Sequence, residues 1–373
     1  MKKVGIMSMQ RIANYGSFLQ AFALKTLIEE LGVQVEFVDY HVEAPVNVDD
    51  SKTSNNYIRK IKKGVEVLGY HAPIFHSLSF IKYKQDFQKK YMVLLGVTDE
   101  LNYNPELDIL IVGSDEVFNC IQKNTNVGYS LELFGKNHKA RKLISYAASF
   151  GNTTLEKLKR YGKAEEVGRY LKKFDALSVR DENSGKIVKK LTGRIVEYHL
   201  DPVLAYDYIH ECDKIPKTEK AEKYLIVYAY SGRISKEESK WIKAYAKKKG
   251  LKIYAIGGIQ RCTDRFINCS PFEVLSYFRN AEEVITDTFH GSIFSIITER
   301  KFTTLVRKSV GNSYGNEEKL TDLLERLELC NRITFDIKDA EKINQVEIDY
   351  NKVGKVLTEQ RRRTKEYLKE HIG

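Results

Sequence analysis

The sequence predicts an α/β protein made of two Rossmann-like halves, each with a parallel, doubly wound sheet, and the two halves are expected to face each other across a cleft. Short apolar strands alternate with amphipathic helices along most of the chain, which is typical of parallel sheets covered by helices. The alternation is interrupted once, at residues 206–222 (YDYIHECDKIPKTEKAE), a charged segment without an apolar period. Such a segment is typical of a linker between domains. The 373 residues, 42% of them hydrophobic, are enough for two cores.

The first half is predicted to span residues 1–205 and opens with a βαβ unit. A strand at residues 3–7 leads through a polar turn into a helix at 16–31, where Leu19, Ala23 and Leu27 recur at helical spacing, and an alternating strand follows. Residues 44–104 are less regular, and we interpret them as a helical insertion with helices around 57–68 and 81–90. The remaining elements are strands at 108–112, 143–149, 176–179 and 196–200, and helices at 155–174 and 184–191.

The second half is predicted to span residues 223–345, where the same alternation restarts. Its strands are expected at 224–230, 252–256, 283–286 and 302–306, and its helices at 236–249, at 271–280 and after His290. A charged helical segment, residues 346–373, ends the chain, with Val353, Val356 and Leu357 as its apolar face. By analogy with other two-domain proteins, we expect this segment to pack back on the first half.

The charge of the chain narrows the classes of ligand. There are 61 Lys and Arg against 50 Asp and Glu, a net charge of +11, which favours acidic small substrates, an anionic membrane surface or nucleic acid. The basic residues are spread over many predicted helices and are not interleaved with aromatic residues on one element. We therefore expect no nucleic-acid partner.

Cysteine usage and hydropathy suggest a compartment. The five cysteines are scattered without the spacing of a zinc site, so we interpret them as reduced thiols and expect no metal. No apolar run reaches the roughly 18 residues of a membrane-spanning helix, and the first residues lack a signal-peptide core. A cytoplasmic protein is the expectation, whereas the oligomeric state is left open.

Four polar loops share one physical character, since each leaves a strand and starts a helix. They are residues 14–17, 113–115, 288–292 and 180–183, and the last of them carries Arg180. Helix N-termini present unpaired N–H groups to anions, and an arginine binds a carboxylate or phosphate through two parallel hydrogen bonds. If the two halves face each other, the cleft collects all four loops. The competing interpretation is that His290 caps its helix or packs against its neighbours, and that Arg180 pairs with Asp181 or with a neighbouring helix.

Several familiar motifs are missing from the sequence. There is no GxGxxG and no GxxxxGK[ST], so neither dinucleotide redox chemistry nor P-loop phosphoryl transfer is supported. There is also no DxD pair of the kind that holds a divalent ion in many sugar-nucleotide enzymes. Charge stabilisation at a site must then come from Arg, Lys, His and backbone N–H groups.

Six segments together resemble the polysaccharide pyruvyl transferase family. In order, they are NYGSFLQAFAL, DILIVGSDEVFN, ISYAASFG, LSVRDENS, LDPVL and ITDTFHGSIFSI, and the resemblance as a whole runs from about residue 5 to residue 330. The resemblance implies a two-domain fold of the glycosyltransferase-B type. It also implies transfer of a pyruvyl group from phosphoenolpyruvate to sugar hydroxyls, which forms a ketal, with no cofactor beyond that donor.

Under this resemblance, three residues are candidates for catalysis. Imidazole exchanges a proton near neutral pH, so His290 is the expected general acid or base. Arg180 would hold the donor carboxylate or phosphate, and Asp287 would orient His290. The donor is expected at Thr288, Gly291 and Ser292, together with Arg180. The acceptor is expected at Asn14, Tyr15, Gly16, Ser17, Gln20, Ser114 and Asp115.

Two other functions fit the same residues. A metal-independent sugar-nucleotide glycosyltransferase of the same architecture would also use His290 and a basic cleft, and a non-catalytic binding protein is the third hypothesis. For the leading hypothesis, the partners are phosphoenolpyruvate and a saccharide of the cell surface or its precursor, free, nucleotide-linked or lipid-linked. The basic surface also fits peripheral association with a membrane.

Overall fold

Two six-stranded sheets, in which every strand pairs in parallel with its neighbours, form the two halves of the protein. The computed structural model describes residues 1–44, 46, 72–122, 127–217, 222–308 and 316–373. The helix expected around residues 57–68 lies outside the described residues. Two parallel sheets covered by helices confirm the predicted α/β class and its glycosyltransferase-B-like arrangement.

The strands of the first sheet are β1 (Lys3–Met7), β2 (Gln34–Phe37), β3 (Ile109–Asp115), β4 (Lys142–Ala148), β5 (Ser178–Val179) and β6 (Glu197–Tyr198). Those of the second sheet are β7 (Tyr224–Tyr228), β8 (Lys252–Ile256), β9 (Arg265–Phe266), β10 (Glu283–Thr286), β11 (Lys301–Leu305) and β12 (Ile333–Thr334). The spatial orders are β2-β1-β3-β4-β5-β6 and β12-β11-β10-β7-β8-β9. The chain therefore reverses its direction of travel between β1 and β3, and again between β7 and β10.

The α-helices span Tyr15–Glu29, Ile74–Asp86, Leu155–Arg160, Ala164–Leu171, Glu182–Thr192, Pro202–Ala205, Tyr208–Glu211, Lys236–Lys249, Glu273–Asn280, Phe289–Ile297, Glu317–Arg326, Ala340–Gln345 and Tyr350–Ile372. Local sequence explains several of these ends. Ser235 and Glu238 form a capping box at the start of Lys236–Lys249, and Gly250 ends that helix in the left-handed conformation. Trp241, on the same helix, stacks on Tyr245 with ring centroids 4.9 Å apart.

Three predicted elements differ from the structure. The helix expected at 155–174 is two helices, because Gly162 adopts a left-handed conformation with φ of 66° between them. The helix expected at 81–90 begins seven residues earlier, at Ile74, and continues into a π turn at Phe87–Tyr91. Strand β3 extends through Gly113, Ser114 and Asp115, which the sequence analysis assigned to a loop.

Aromatic residues join the two halves. Phe272, from the second half, lies edge-on to Phe18 and Phe22 of helix Tyr15–Glu29, with centroids 5.7 and 4.9 Å apart. The Tyr15 hydroxyl donates a hydrogen bond to the Cys269 carbonyl at 2.9 Å. Because these side chains are buried or half-buried, the apolar core continues from one half into the other.

The C-terminal helix, Tyr350–Ile372, lies against the first sheet. The Tyr367 hydroxyl donates to the Ser145 carbonyl of β4 at 2.7 Å, and the Tyr146 hydroxyl lies 3.0 Å from Thr364 Oγ1. Val353, Leu357 and Ile372 are buried in the core shared by the two halves. No helix among the described residues combines the length and apolar character needed to cross a membrane.

Candidate active site

A cleft of about 700 Å³ lies between the two sheets and is lined by both halves. In open α/β sheets, ligands bind beyond the carboxyl ends of the strands where the strand order reverses. The loops that follow β1, β3, β7 and β10 all reach this cleft, through Asn14 and Ser17, Asp115 and Glu116, Tyr230 and Arg233, and Thr288 to His290. The two reversal points therefore meet at one site.

Asp201, which is buried behind the wall of the cleft, faces one basic side chain from each half. Arg180 Nη1 donates to Asp201 Oδ2 at 2.9 Å, and His290 Nε2 lies 3.6 Å from the same oxygen, slightly longer than a hydrogen bond. Asp201 follows β6 and caps the short helix Pro202–Ala205 by accepting from the Val203 N–H at 3.0 Å. The cluster Arg180–Asp201–His290 thus forms only where the halves meet.

Arg180 is held in place on several sides. Its guanidinium lies over the ring of Phe289, 4.3 Å from the centroid, and Nη1 is 3.7 Å from Asp115 Oδ1. The side chain is only 4% exposed, and Nε has no hydrogen-bond partner in the described structure. The alternative of a pair with Asp181 is not what is observed, since Asp181 caps helix Glu182–Thr192 by accepting from Ser184 N at 2.8 Å.

The charges in this cluster stabilise one another. Burial alone raises the pKa of the Asp201 carboxyl, but His290, Arg180 and the Val203 N–H outweigh burial and lower it below its ordinary value. Burial alone lowers the pKa of Arg180, but Asp201 and Asp115 raise it overall. Asp201 is therefore ionised at neutral pH.

The expectation that Asp287 orients His290 is wrong. Both carboxylate oxygens of Asp287 are buried without a hydrogen-bond partner in the described structure, and its nearest charges are Arg233 at 3.5 Å and Arg307 at 3.7 Å. Burial raises the pKa of the Asp287 carboxyl despite the two arginines. The carboxylate that faces His290 is Asp201, which comes from the other half of the chain.

The expectation that the donor contacts Gly291 and Ser292 is also wrong. Thr288 is the N-cap of helix Phe289–Ile297, and its Oγ1 accepts from the Gly291 N–H at 2.9 Å. The Ser292 N–H bonds to the Thr288 carbonyl, and its hydroxyl is 2.9 Å from Thr304 Oγ1. Thr288 itself lines the cleft, whereas Gly291 and Ser292 lie buried behind it.

Three of the expected acceptor residues, Asn14, Ser17 and Asp115, line the cleft, and Gly16 is buried against His290. Asn14 caps helix Tyr15–Glu29 by accepting from the Ser17 N–H at 2.8 Å, and the Ser17 hydroxyl donates to Asp115 Oδ2 at 3.1 Å. Gly16 contacts His290 so closely that a Cβ at this position would lie 2.2 Å from His290 Nδ1. The first half therefore supplies the surface against which the imidazole packs.

Three other expected acceptor residues are packing residues. Tyr15 is fully buried between the halves, with its ring 5.2 Å from Tyr83. Gln20 is fully buried and donates to Ser8 Oγ at 3.0 Å. Ser114 is fully buried in β3 and donates to the Ala147 carbonyl at 3.2 Å. None of the three lines the cleft described here, so their expected contact with an acceptor is wrong.

Further residues at the site were not singled out from the sequence. Asp201 carried a usable signal, because Asp followed by Pro at the carboxyl end of a strand is a helix start like the four predicted loops. No sequence signal pointed to Phe289.

The cleft is lined by charged side chains of both signs. The cationic side chains that line it are Lys84, Lys157, Arg160, Arg180, Arg233 and Lys319, and the carboxylates are Asp115, Glu116 and Asp287. In the part of the chain that the structure describes, no group of three or more His, Cys, Asp or Glu could hold a metal ion.

Comparison with known proteins identifies one family and several structures with a similar course of the chain. A family model described as polysaccharide pyruvyl transferase matches residues 14–309. A comparison with curated proteins gave no match. Similar solved structures include an O-GlcNAc transferase mutant from Thermobaculum terrenum, with 11% identity, TM-score 0.41, and coverage of 98% of this chain but only 64% of that one. A second is the S. aureus MnaA–UDP co-structure, with 11% identity, a TM-score of 0.48, and coverage of 96% of this chain and 91% of that one. A third is the UDP-GlcNAc 2-epimerase of Methanocaldococcus jannaschii in complex with UDP-GlcNAc and UDP, with 10% identity, a TM-score of 0.46, and coverage of 94% of this chain and 93% of that one.

Proposed function

Since the chain belongs to the polysaccharide pyruvyl transferase family, we propose that this transferase moves a pyruvyl group from phosphoenolpyruvate to two hydroxyls of a saccharide, forming a pyruvate ketal. The observation that most supports this proposal is the cluster of His290, Asp201 and Arg180 at the base of the cleft. It combines a group that can carry a proton with a buried cation suited to a carboxylate or phosphate.

The reaction requires one proton to reach a carbon atom. Protonation of the methylene carbon of phosphoenolpyruvate creates a cation-like centre at the neighbouring carbon, which the first sugar hydroxyl attacks. The bond from that carbon to the phosphate oxygen then breaks, inorganic phosphate leaves, and the second hydroxyl attacks the same carbon. Of the two hydroxyl protons released, one balances the proton added to the methylene carbon and the other accompanies the phosphate.

His290 is the proposed proton donor for the first step. Its Nε2 lies 3.6 Å from Oδ2 of Asp201, a carboxylate that also accepts a hydrogen bond from Arg180 at 2.9 Å. The side chain of His290 is 14% exposed and lines the cleft. An imidazole that lines the cleft can donate a proton to the donor and later accept a proton from a hydroxyl.

Arg180 and the other cations are proposed to bind the donor. Six cationic side chains and three carboxylates line the cleft, which suits a donor with both a carboxylate and a phosphate. Arg180 is stacked on Phe289, and this contact fixes the plane of its guanidinium for recognition of one anionic group. Asn14, Ser17 and Asp115 are proposed to meet the acceptor, because they line the cleft from the first half.

The acceptor is proposed to be a saccharide of the cell surface or its precursor, and a nucleotide- or lipid-linked carrier fits the basic character of the cleft. The protein would work in the cytoplasm and associate peripherally with a membrane. No cofactor besides the donor is proposed. The second candidate function, a metal-independent sugar-nucleotide glycosyltransferase, would use the same cluster.

The test of catalysis is mass spectrometry of candidate saccharides incubated with the enzyme and phosphoenolpyruvate, since a pyruvate ketal has a defined mass gain. We expect His290→Ala to lower the rate by about 10²- to 10⁴-fold, the usual contribution of a general acid. Replacement of the exposed His210 by alanine is the matched control. A His290→Ala variant that folds normally and retains activity within a few-fold of wild type would exclude the proton-transfer role.

The two candidate functions differ in their donor, so thermal shift separates them. A ligand that binds only the folded state raises the melting temperature. We expect phosphoenolpyruvate to do so and nucleotide sugars to have a smaller effect, and Arg180→Lys should weaken the phosphoenolpyruvate effect. A large shift with nucleotide sugars and none with phosphoenolpyruvate would favour the glycosyltransferase.

A further inference from the structure

The helix Ile74–Asp86, which we call the bridging helix, has an inner face that packs against the protein and an outer face that is exposed to solvent. Its inner face carries buried or half-buried aromatic residues that contact both halves of the protein. Tyr83 lies 5.2 Å from Tyr15 of the first half, and Phe80 lies edge-on to Phe266 of the second half at 5.7 Å. The inner face therefore fixes the helix beside the cleft, and Lys84, on the same helix, lines the cleft.

The outer face of the bridging helix is apolar and exposed. Phe75 is 81% and Leu78 is 59% exposed, and Ile74 and Ile81 are exposed on the same side. These positions fall about half a turn away from the inner aromatic residues, as expected for an amphipathic helix. Val93 and Leu94, in the 3₁₀ turn that follows, are also exposed, so six of the fifteen exposed large apolar side chains of the described residues lie within residues 74–94.

Positive charge borders this apolar face. Lys82, Lys89 and Lys90 are exposed. Asp86 is the single acidic residue between Ile74 and Leu95, and it is neutralised by Lys90 at 2.9 Å. A second copy of this chain packed on the face would bring lysines against lysines. An anionic surface of lipid head groups complements the lysines and takes up the apolar side chains at the same time.

We propose that the outer face of the bridging helix, Ile74 to Ile81 with Lys82 and Lys89, binds the surface of an anionic phospholipid membrane. The apolar side chains enter the boundary between head groups and acyl chains, and the lysines contact the lipid phosphates. Because Lys84 of the same helix lines the cleft, bound protein holds its cleft beside the membrane. This favours a lipid-linked acceptor, and that last point rests on the proposed transferase function.

The test is co-sedimentation of the full chain with vesicles of phosphatidylcholine alone or mixed with phosphatidylglycerol. We expect binding to the mixed vesicles and little to the neutral ones. Phe75→Gln with Leu78→Gln should weaken that binding by about tenfold or more, because two large apolar groups no longer enter the lipid. Lys82→Gln with Lys89→Gln should weaken it by about fivefold for each lysine and reduce its sensitivity to salt.

Matched controls remove exposed groups elsewhere. Ile195→Gln with Phe335→Gln deletes two other exposed apolar side chains, and Lys240→Gln with Lys247→Gln deletes two other exposed lysines. Neither pair should change vesicle binding. The proposal is overturned if the protein does not bind the vesicles, or if the bridging-helix variants bind them as well as the wild type does. It is also overturned if these variants lose self-association and keep their lipid binding. The assay contains neither donor nor acceptor, so a failed transfer reaction would not affect it.

Discussion

At the scale of single residues, Gly16 controls the position of His290. The glycine lies in the first turn of helix Tyr15–Glu29, and any Cβ there would lie 2.2 Å from Nδ1 and 2.3 Å from Cγ of the imidazole. Atoms cannot approach so closely, so a larger residue must displace the ring. The ring would then lose its place beside Asp201, on which the proposed proton transfer depends.

The first prediction is that Gly16→Ala lowers transfer activity by about tenfold to a hundredfold, since a displacement near 1 Å costs about that much in a positioned catalytic group. Gly354→Ala is the control, because a Cβ there meets no atom within 4 Å and the position is inside the C-terminal helix. The control should retain full activity and gain about 1 kcal/mol in the free energy of unfolding. Full activity of a folded Gly16→Ala variant would show that the contact does not position His290.

The sequence did not reveal which carboxylate faces His290. The rule that polar residues follow parallel strands correctly brings His290, Arg180, Asn14, Ser17 and Asp115 to one cleft. The same rule cannot tell which carboxylate meets the imidazole, because Asp287 and Asp201 both follow strands. Proximity along the chain favoured Asp287, but the approach of the two halves puts Asp201 there.

At the scale of elements, the side chain of Thr288 caps the helix Phe289–Ile297. Thr288 Oγ1 accepts from the Gly291 N–H at 2.9 Å and also lies 3.1 Å from Thr286 Oγ1. An N-cap side chain satisfies one of the N–H groups that a helix start leaves unpaired. The cap therefore helps to fix the turn that carries His290.

The second prediction concerns this cap. Thr288→Ala should lower the free energy of unfolding by about 1 kcal/mol, because the Gly291 N–H loses its acceptor. Thr288→Ser keeps the hydroxyl and should lose clearly less. Urea denaturation of both variants measures the difference. Equal losses would mean that burial of the threonine methyl group, and not the cap, accounts for the effect.

Elements were predicted better than the directions of their side chains. Long apolar strands such as β3 and β7 were identified because hydrophobic runs between polar turns are a local signal. Tyr15 and Gln20 follow the loop of the cleft, but Tyr15 turns into the interface between the halves and Gln20 turns towards Ser8 inside the first half. That interface depends on contacts between residues about 250 positions apart in sequence, such as Tyr15 and Cys269, which no local pattern encodes.

At the scale of the whole molecule, the C-terminal helix covers a buried histidine of the first sheet. His199 is fully buried, with Nδ1 2.8 Å from Ser178 Oγ and its ring 4.6 Å from that of Tyr367. Burial, with smaller contributions from Arg363 and Arg326, lowers its pKa to about 4. The imidazole is therefore neutral in the folded protein at a pH where it would be protonated in the unfolded chain.

The third prediction follows from this difference. Between pH 6.5 and pH 4 the unfolded chain binds a proton that the folded protein does not, so the free energy of unfolding increases as pH rises through that window. The contribution of His199 amounts to about 2 kcal/mol between roughly pH 5 and pH 7.5. His199→Gln should reduce the pH dependence by that amount in urea denaturation. An unchanged slope in this variant would mean that the histidine does not titrate as inferred.

The sole tryptophan of the chain belongs to the second half. Trp241 stacks on Tyr245 and packs against the core on one face of the second sheet. Its fluorescence consequently reports on the second half alone, while circular dichroism reports on the helices of both. If the halves unfold separately, the two signals will give different denaturation midpoints, and loss of the first half alone will be silent in tryptophan emission.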